Sequence, residues 1–239
     1  MAAEVAPGVH RLGNELVNFY VVEDGRRLML VDAGLPGFLD QLDAFLAGRR
    51  VDAVLLTHGH PDHVGIADAV RARGAPVYVH EGDAEMARTA KYPRRERSLR
   101  RYFRYGATWA LLWMALRNGG VRPAKIAVVT PFGDDASLDL PGAPVVVPVP
   151  GHSEGQVAFH FPDRGALIVG DALCTRNPLT GRMGPQLMPG AFSISSARAM
   201  ESLARIEPLE AGVLLPGHGD PWTGGVAAAV ARAREAGPS

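Results

Sequence analysis

The sequence predicts an α/β fold, because short apolar strands alternate with amphipathic helices and this alternation resumes in the second half of the chain. In the first half, the predicted strands are 9–12, 18–22, 27–31, 51–56 and 76–80, and the predicted helices are 35–46 and 64–73. In the second half, the predicted strands are 143–149, 157–161, 166–169 and 213–215, and the predicted helices are 196–206 and 226–236. Because no linker separates the halves, we expect a single domain over residues 1–239.

Turn residues and helical spacing of apolar residues support these predicted strands and helices. The segments 23–26 (Glu-Asp-Gly-Arg) and 162–165 (Pro-Asp-Arg-Gly) each lie between two apolar runs, which is typical of a β-hairpin. Gly74 follows the predicted helix 64–73 as a stop signal. The helix 35–46 is indicated by apolar residues at helical spacing, which are Leu35, Phe38, Leu39, Leu42, Phe45 and Leu46.

Residues from 81 to about 125 depart from this alternation. An arginine cluster comes first, with Glu96 as its one acid, and consists of Arg94, Arg95, Arg97, Arg100, Arg101 and Arg104. The apolar run 107–116 follows. We expect one or two helices, basic first and then apolar, which form a helical insertion at about 85–125.

Several roles fit this insertion. It could be a solvated arginine face with a helix packed on the core, a lid over a substrate pocket, a homodimer contact or a membrane-surface helix. Composition alone does not choose among them. On the lid hypothesis, we predict that Trp109, Trp113 and Met114 contact an apolar acyl substrate.

The composition is that of an ordinary globular protein, with 47% apolar and 21% charged residues. The formal net charge is zero, which argues against recruitment of nucleic acid or an anionic membrane by a global field. Cys174 is the single cysteine, so an intrachain disulfide framework is excluded. The N-terminus lacks a secretory signal, and the run 107–116 is too short to span a bilayer. We therefore predict a cytoplasmic protein.

The segment 57–63 (Thr-His-Gly-His-Pro-Asp-His) concentrates three imidazoles and a carboxylate in the loop after the predicted strand 51–56. Neutral imidazole nitrogens and carboxylate oxygens are the usual ligands of zinc and its first-row neighbours. The alternative is a polar turn that happens to be rich in histidine. Three of the chain's eight histidines within six positions argue against that alternative.

Three later loops share this design, since each follows a short apolar strand and contains a glycine that lets the backbone turn tightly. They contribute His152, Asp171 and His218. The complete set of candidate ligands is His58, His60, Asp62, His63, His152, Asp171 and His218. One tetrahedral zinc cannot use so many ligands, whereas two metals that share a carboxylate can. The remaining histidines are predicted to be structural, and these are His10, His80 and His160.

These motifs resemble those of the metallo-β-lactamase-fold superfamily. The family motif T-H-x-H-x-D-H matches residues 57–63, and its later motifs match Pro-Gly-His-Ser at His152, Gly-Asp at Asp171 and Pro-Gly-His-Gly at His218. The resemblance implies a four-layer αβ/βα sandwich of two facing mixed sheets with outer helices. It also implies a division of ligands, with one metal held by His58, His60 and His152, the other by Asp62, His63 and His218, and Asp171 as the bridge.

The resemblance also implies supporting and catalytic roles. Asp32 occupies the family's strand-end D-x-G position. We expect Asp32 and Thr57 to support the ligand side chains without binding the metals themselves. Asp62 is expected to act as a catalytic carboxylate as well as a ligand. Attack by a hydroxide that bridges the two metals needs no protein nucleophile, so Cys174 and Ser153 are poor candidates for covalent catalysis.

The bridging position indicates the substrate class. The family's true β-lactamases generally carry Cys or Ser there, whereas Asp171 is similar to the glyoxalase II and lactonase branch. We predict a dinuclear zinc hydrolase, with iron or manganese as alternative metals, that cleaves a small ester, thioester or lactone. The alternatives are a mononuclear iron oxidoreductase of the persulfide dioxygenase type, a phosphodiesterase, and a binding protein with a vestigial site. The last would have lost ligands, and none is lost here.

Overall fold

Two β-sheets form the centre of the structure, a computed structural model that describes residues 2–238. The first sheet has seven strands, whose order in the sheet is their order along the chain: β1 (Ala3–Ala6), β2 (Val9–Gly13), β3 (Asn18–Asp24), β4 (Arg27–Val31), β5 (Ala53–Leu55), β6 (Val77–His80) and β7 (Thr130–Phe132). Strands β1 to β4 are antiparallel neighbours and β4 to β7 are parallel neighbours, so the sheet is mixed.

The second half of the chain supplies the other strands, which are β8 (Val145–Pro148), β9 (Val157–Phe161), β10 (Ala166–Gly170), β11 (Cys174–Arg176), β12 (Met183–Gln186) and β13 (Val213–Pro216). Four of them form the second sheet in the order β13-β10-β9-β8, and β11 pairs with β12 in a small separate sheet. This second sheet is also mixed, because β10 is parallel to β13 and antiparallel to β9.

Helices cover the outer faces of both sheets. The seven α-helices are α1 (Leu39–Leu46), α2 (Pro61–Val64), α3 (Ala67–Ala72), α4 (Glu81–Thr89), α5 (Gly106–Arg117), α6 (Ser196–Ser202) and α7 (Val226–Ala236). Side chains of α1 to α4 share a buried cluster with the first sheet, and side chains of α6 and α7 share another with the second sheet. Within residues 2–238, no helix has the length and apolar character needed to cross a membrane.

Alternating side chains along each strand separate the layers of the core. On β3, Phe19 and Val21 face the helices, whereas Tyr20 and Val22 face the second sheet. There they share a buried cluster with Phe159 of β9 and with apolar residues of β10 and β13. Strands with two buried faces require apolar residues at nearly every position. The predicted α/β fold with two facing mixed sheets and outer helices is confirmed.

Four strands were not predicted from the sequence, namely β1, β7, β11 and β12. Each has only three or four residues, so none shows a period-2 pattern long enough to be recognised. Two of them also contain a proline, Pro131 in β7 and Pro185 in β12, which argues locally against a strand.

The helix expected over 64–73 is divided into α2 and α3 at Gly65. A Cβ at this position would lie 2.3 Å from the carbonyl oxygen of Gly34, so the backbones of the two loops touch there. Gly65 therefore lets the chain between α2 and α3 pack directly against the loop that follows β4.

The chain between β6 and β7 contains α4, a short 3-10 turn at Leu99–Tyr102 and α5. The expected insertion at about 85–125 lies within this connection. The first part of the arginine cluster is not helical, although we expected a basic helix, because Arg94, Arg95 and Arg97 follow α4 in irregular chain. Helix α4 ends at Thr89, because Ala90 adopts a left-handed conformation, and Pro93, which lacks a backbone donor, disfavours a new helix in the segment that follows.

We predict that Phe159→Ala lowers the free energy of unfolding by about 3–5 kcal/mol, because it leaves a cavity between the two sheets. Phe159 is fully buried, and its ring lies 6.4 Å from that of Phe132. Urea unfolding followed by circular dichroism measures the change. The control is Val145→Ala on the neighbouring strand β8, which is 50% exposed and should change stability by less than about 0.5 kcal/mol. Equal midpoints for the two variants would contradict this account of the core.

Candidate metal centre

Loops from both sheets converge at one edge of the sandwich. The first sheet contributes the loop after β5, which carries His58 and His60 and continues into α2 with Asp62 and His63. Pro61 stands at the first position of α2, where its fixed φ and missing N–H suit a helix start. The second sheet contributes single residues that follow β8, β10 and β13, which are His152, Asp171 and His218.

The structure brings all seven predicted ligand residues together. Three groups have ligand atoms within 4.8 Å of one another, namely His58–His60–His152, His58–His63–Asp171 and Asp62–His63–His218. The first and third groups coincide with the two ligand sets that the sequence motifs imply, and the second group links them. The predicted structural histidines His10, His80 and His160 belong to none of these groups.

Asp171 lies at the centre of the cluster. Its Oδ2 is 3.2 Å from Nε2 of His152 and 3.2 Å from Nε2 of His218. The same oxygen is 3.9 Å from Nε2 of His58, and Oδ1 is 3.4 Å from Nε2 of His63. One carboxylate therefore faces imidazoles of both outer groups.

Hydrogen bonds behind the cluster orient two of the imidazoles, those of His63 and His218. The Nδ1 atom of His63 lies 2.8 Å from Oδ2 of Asp32, and Nδ1 of His218 lies 2.5 Å from the carbonyl oxygen of Leu16. Both partners are acceptors, so Nδ1 carries the proton in each ring. The lone pair of a neutral ring is then on Nε2, which points toward Asp171 in both cases.

Asp32 and Thr57 form hydrogen bonds behind the cluster. The backbone N–H and the hydroxyl of Thr57 both donate to the Asp32 carboxylate, at 2.8–3.0 Å. Since the hydroxyl hydrogen is used in this way, its oxygen accepts from Nδ1–H of His58, 3.0 Å away. Asp32 adopts a left-handed φ of 57°, a strained conformation for this residue that the buried hydrogen bonds hold in place.

Burial and charge set the protonation of the cluster. Burial, with help from the neighbouring imidazoles, lowers the pKa of His58 and of His152 well below the usual range, so both rings are neutral. Burial alone would raise the pKa of Asp171, but His218, His63 and His152 hold it well below the usual value. Burial opposes protonation of His63, yet Asp171 and Asp32 raise its pKa well above the usual range.

The donor atoms fit metal ions. Nε2 of His58, Nε2 of His63 and Oδ1 of Asp171 are buried and lack a hydrogen-bond partner within the described structure. Buried polar atoms without partners are costly, and several of them converging on one point are typical of an ion site. Imidazole and carboxylate donors suit zinc, iron and manganese. A cation would take the place of the proton that His63 otherwise holds.

Gly217 makes the close approach of the loops feasible. A Cβ at this position would lie 2.3 Å from Oδ1 of Asp171 and 2.6 Å from Cε1 of His63. Both contacts are too short for any side chain, so the glycine before His218 is required by the packing of the cluster itself.

Asp83 is a buried residue of the site that the sequence prediction missed. Its carboxylate accepts from Gly59 N (2.9 Å), Gly155 N (2.9 Å) and Ser153 Oγ (2.6 Å). These donors belong to the loops that carry His58, His60 and His152, so Asp83 joins the two loops. The local signal was weak, because an acid in the first turn of α4 is usually explained by the helix dipole.

A cavity opens onto the cluster. Its floor includes His60, Asp62, His152, Asp171 and His218. Its wall is largely apolar, and α5 contributes Leu111, Leu112, Met114 and Ala115. Arg95 adds a cation to the lining.

The three residues predicted to contact substrate lie in different places. Met114 lines the cavity, as the lid hypothesis requires. Trp109 and Trp113 are outside the lining and are 58% and 57% exposed. Their predicted contact with substrate stays a prediction, and the cavity wall instead uses Leu111 from the opposite side of the helix.

We predict that Asp83→Ala lowers the free energy of unfolding by about 3 kcal/mol, because three buried donors lose their acceptor. Asp83→Asn, which keeps one carbonyl acceptor, should lie between this variant and the native chain. Glu85→Ala, at an exposed position of the same helix, is the matched control. Urea unfolding compares the four proteins, and a native-like stability of Asp83→Ala would show that the two loops do not depend on this carboxylate.

Comparison with known proteins agrees with this geometry. The profile of the Metallo-beta-lactamase superfamily matches residues 12–218. The chain is 28% identical over 238 residues to the probable metallo-hydrolase YflN of Bacillus subtilis (strain 168), a match that covers 92% of this chain and 87% of that protein. It is 30% identical over 149 residues to the hydroxyacylglutathione hydrolase of Fuscovulum blasticum, which covers 62% of this chain and 43% of that enzyme.

A solved structure also resembles this chain in both sequence and fold. The crystal structure of TTHA1623 in a di-iron-bound form superposes with a TM-score of 0.59 and 32% sequence identity, covering 89% of this chain and 92% of that one. The profile match includes every loop of the cluster, from Asp32 to His218. With its two facing sheets and its strand-end histidines and aspartates, this chain belongs to the metallo-beta-lactamase superfamily.

Proposed function

We propose that this protein is a hydrolase that uses two divalent metal ions, zinc in the first instance, to cleave a small ester, thioester or lactone. The observation that carries the proposal is the position of the Asp171 carboxylate. It lies 3.2 Å from an imidazole of each outer group, His152 on one side and His218 on the other. A carboxylate between two sets of imidazole and carboxylate donors suits a bridge between two cations.

The proposed ligand sets follow the three groups of donor atoms. His58, His60 and His152 would hold one ion. Asp62, His63 and His218 would hold the other, and Asp171 would serve both. The fixed Nδ1 hydrogens of His63 and His218 support this assignment, since each leaves Nε2 directed inward.

Two such ions lower the pKa of a bound water and polarise a carbonyl oxygen, which is the chemistry of hydrolysis at neutral pH. The protein contributes the geometry and the proton acceptor. Asp62 lines the cavity and its side chain is 27% exposed. Its Oδ2 faces His218 at 3.4 Å, and its other oxygen can accept a proton from water in the cavity. Asp62 is therefore the proposed catalytic carboxylate.

The cavity supports a substrate with an apolar acyl group. Leu111, Met114 and Phe192 line it above the cluster, and Arg95 provides a positive charge for an anionic substituent. The similarity to a hydroxyacylglutathione hydrolase favours a thioester within this class. The name of YflN, a probable metallo-hydrolase, agrees with hydrolysis but specifies no substrate.

We predict that the purified protein contains two metal ions per chain. His60→Ala and Asp62→Ala should each lower the metal content and should each reduce the turnover number for hydrolysis by at least about 100-fold. Elemental analysis identifies the metal, and a panel of thioesters, lactones, carboxyl esters and phosphodiesters identifies the bond. The matched control is His10→Ala, which removes an imidazole outside the cluster and should change neither quantity.

The outcomes separate the candidate functions. One iron per chain together with oxygen consumption would replace the hydrolase by an iron oxidoreductase. Two irons with ester hydrolysis would keep the reaction and change the metal, in line with the di-iron form of TTHA1623. Full turnover in Asp62→Ala would overturn the assigned site.

We also predict that Met114→Trp reduces kcat/KM for long-chain acyl esters by about tenfold, because the larger ring occupies cavity space next to the wall. The kcat/KM for acetyl esters should change less than about twofold. Trp113→Ala is the matched control, since it alters the neighbouring residue on the exposed side of α5. Steady-state kinetics on esters of increasing chain length provides the comparison. A loss that is the same for all chain lengths would show that the acyl group does not occupy this wall.

A further inference from the structure

Helix α5 presents an apolar stripe to solvent. Within residues 2–238, nine large apolar side chains are exposed, and six of them lie in α5 or within four residues of its ends: Phe103, Trp109, Leu112, Trp113, Leu116 and Val121. Trp109, Trp113 and Leu116 are each more than half exposed. Positions 109, 112, 113 and 116 follow helical spacing and therefore share one face. We call these six residues the α5 stripe.

The α5 stripe is a preformed surface, because the other side of the helix is anchored. Thr108 is buried, and its hydroxyl contacts the carbonyl oxygens of Tyr102 and Leu179 at 2.9 Å. Trp109 donates from Nε1 to the carbonyl oxygen of Phe103 at 3.0 Å. Exposed apolar side chains that are held in place in this way mark an interaction surface.

The segment of sequence that contains the stripe is strongly basic. The segment 91–125 contains ten of the 25 basic residues and one of the 25 acidic residues, which gives it a formal charge of +9 and leaves −9 for the rest of the chain. Nine of the other fifteen basic residues form ion pairs with carboxylates. Within residues 2–238, none of the ten bases in this segment lies within 4.0 Å of a carboxylate oxygen.

We propose that the α5 stripe and its arginines dock this protein on the surface of an anionic lipid bilayer. Tryptophan, phenylalanine and leucine on one face of a helix with arginines beside it are the features of a helix that lies in the membrane interface. Arg104 and Arg117 stack on Tyr105 and Trp113, which places cations next to the apolar side chains. The docking is independent of the proposed hydrolase activity.

Charge favours lipid over a second copy of the chain. A symmetric dimer through the stripe would bring two segments of charge +9 into contact. An anionic bilayer instead attracts each basic residue and accepts the apolar side chains below its headgroups. Leu112 belongs both to the stripe and to the cavity lining, so the docked surface is continuous with the wall of the cavity.

Sedimentation of the full chain with vesicles tests this proposal. We expect binding to vesicles of phosphatidylcholine mixed with phosphatidylglycerol, and binding weaker by roughly tenfold or more to pure phosphatidylcholine and at high salt. Tryptophan fluorescence should shift to shorter wavelength on binding, because Trp109 and Trp113 leave water.

Two variants separate the apolar and the electrostatic contributions. Trp109→Gln with Trp113→Gln should weaken binding about tenfold or more and remove most of the fluorescence shift. Arg100→Gln with Arg101→Gln and Arg104→Gln should weaken binding on the order of 100-fold. The control for charge is Arg26→Gln with Arg182→Gln and Arg205→Gln, which removes three exposed arginines outside this segment and should leave binding unchanged.

Three results would overturn the proposal. The first is a native chain that does not bind the anionic vesicles. The second is equal loss of binding in the segment variant and in the control arginine variant, which would indicate unspecific attraction. The third is a dimer that dissociates on substitution of Trp109 and Trp113 while vesicle binding is absent, which would assign the stripe to a second copy.

Discussion

Hydrogen bonds from β3 to the end of β13 and to the loop after it tie the two sheets together at the edge where the candidate ligands meet. The Asn18 amide donates to the carbonyl oxygens of Pro216 (2.9 Å) and Gly219 (2.6 Å), and the Tyr20 hydroxyl donates to that of Pro216 (2.6 Å). Burial raises the pKa of Tyr20, so its hydroxyl remains a donor. Because His218 lies between the two anchored carbonyls, the first sheet positions a side chain that belongs to the second.

Three buried carboxylates stand around this junction, and the protein satisfies them differently. Asp32 and Asp83 each accept hydrogen bonds from donors of the protein, so their charges are compensated without any further partner. Asp171 is faced by imidazoles only, and one of its oxygens has no hydrogen bond within the described structure. The difference separates carboxylates that hold loops together from the one whose surroundings suit cations.

The sequence was sufficient to predict what depends on local pattern. Apolar strands that end in a glycine and a histidine or aspartate are visible as short motifs, and two facing sheets bring those ends to one edge. Asp83 could not be found in this way, because its role depends on contacts between α4 and two loops distant in sequence. Similarly, the run 107–116 predicted a helix, but a helix that is apolar on most sides gives no signal for which side is inward. The choice of Leu111 over Trp113 for the cavity wall became visible only in the fold.

Net charge is likewise a property of the sequence that does not predict how the charges are arranged in the fold. A formal charge of zero argued against attraction to anionic surfaces, yet the field near a protein depends on how its charges are distributed. Here opposite charges are separated along the chain, and the segment 91–125, with a formal charge of +9, also contains the exposed Trp109 and Trp113. Screening limits the reach of surface charges to about 10 Å at 0.1 M salt, so a surface that touches this segment responds to the charges close to it more than to the net charge of the chain. A neutral chain can therefore present a cationic, apolar surface on the outer side of the helix whose inner side lines the candidate metal site.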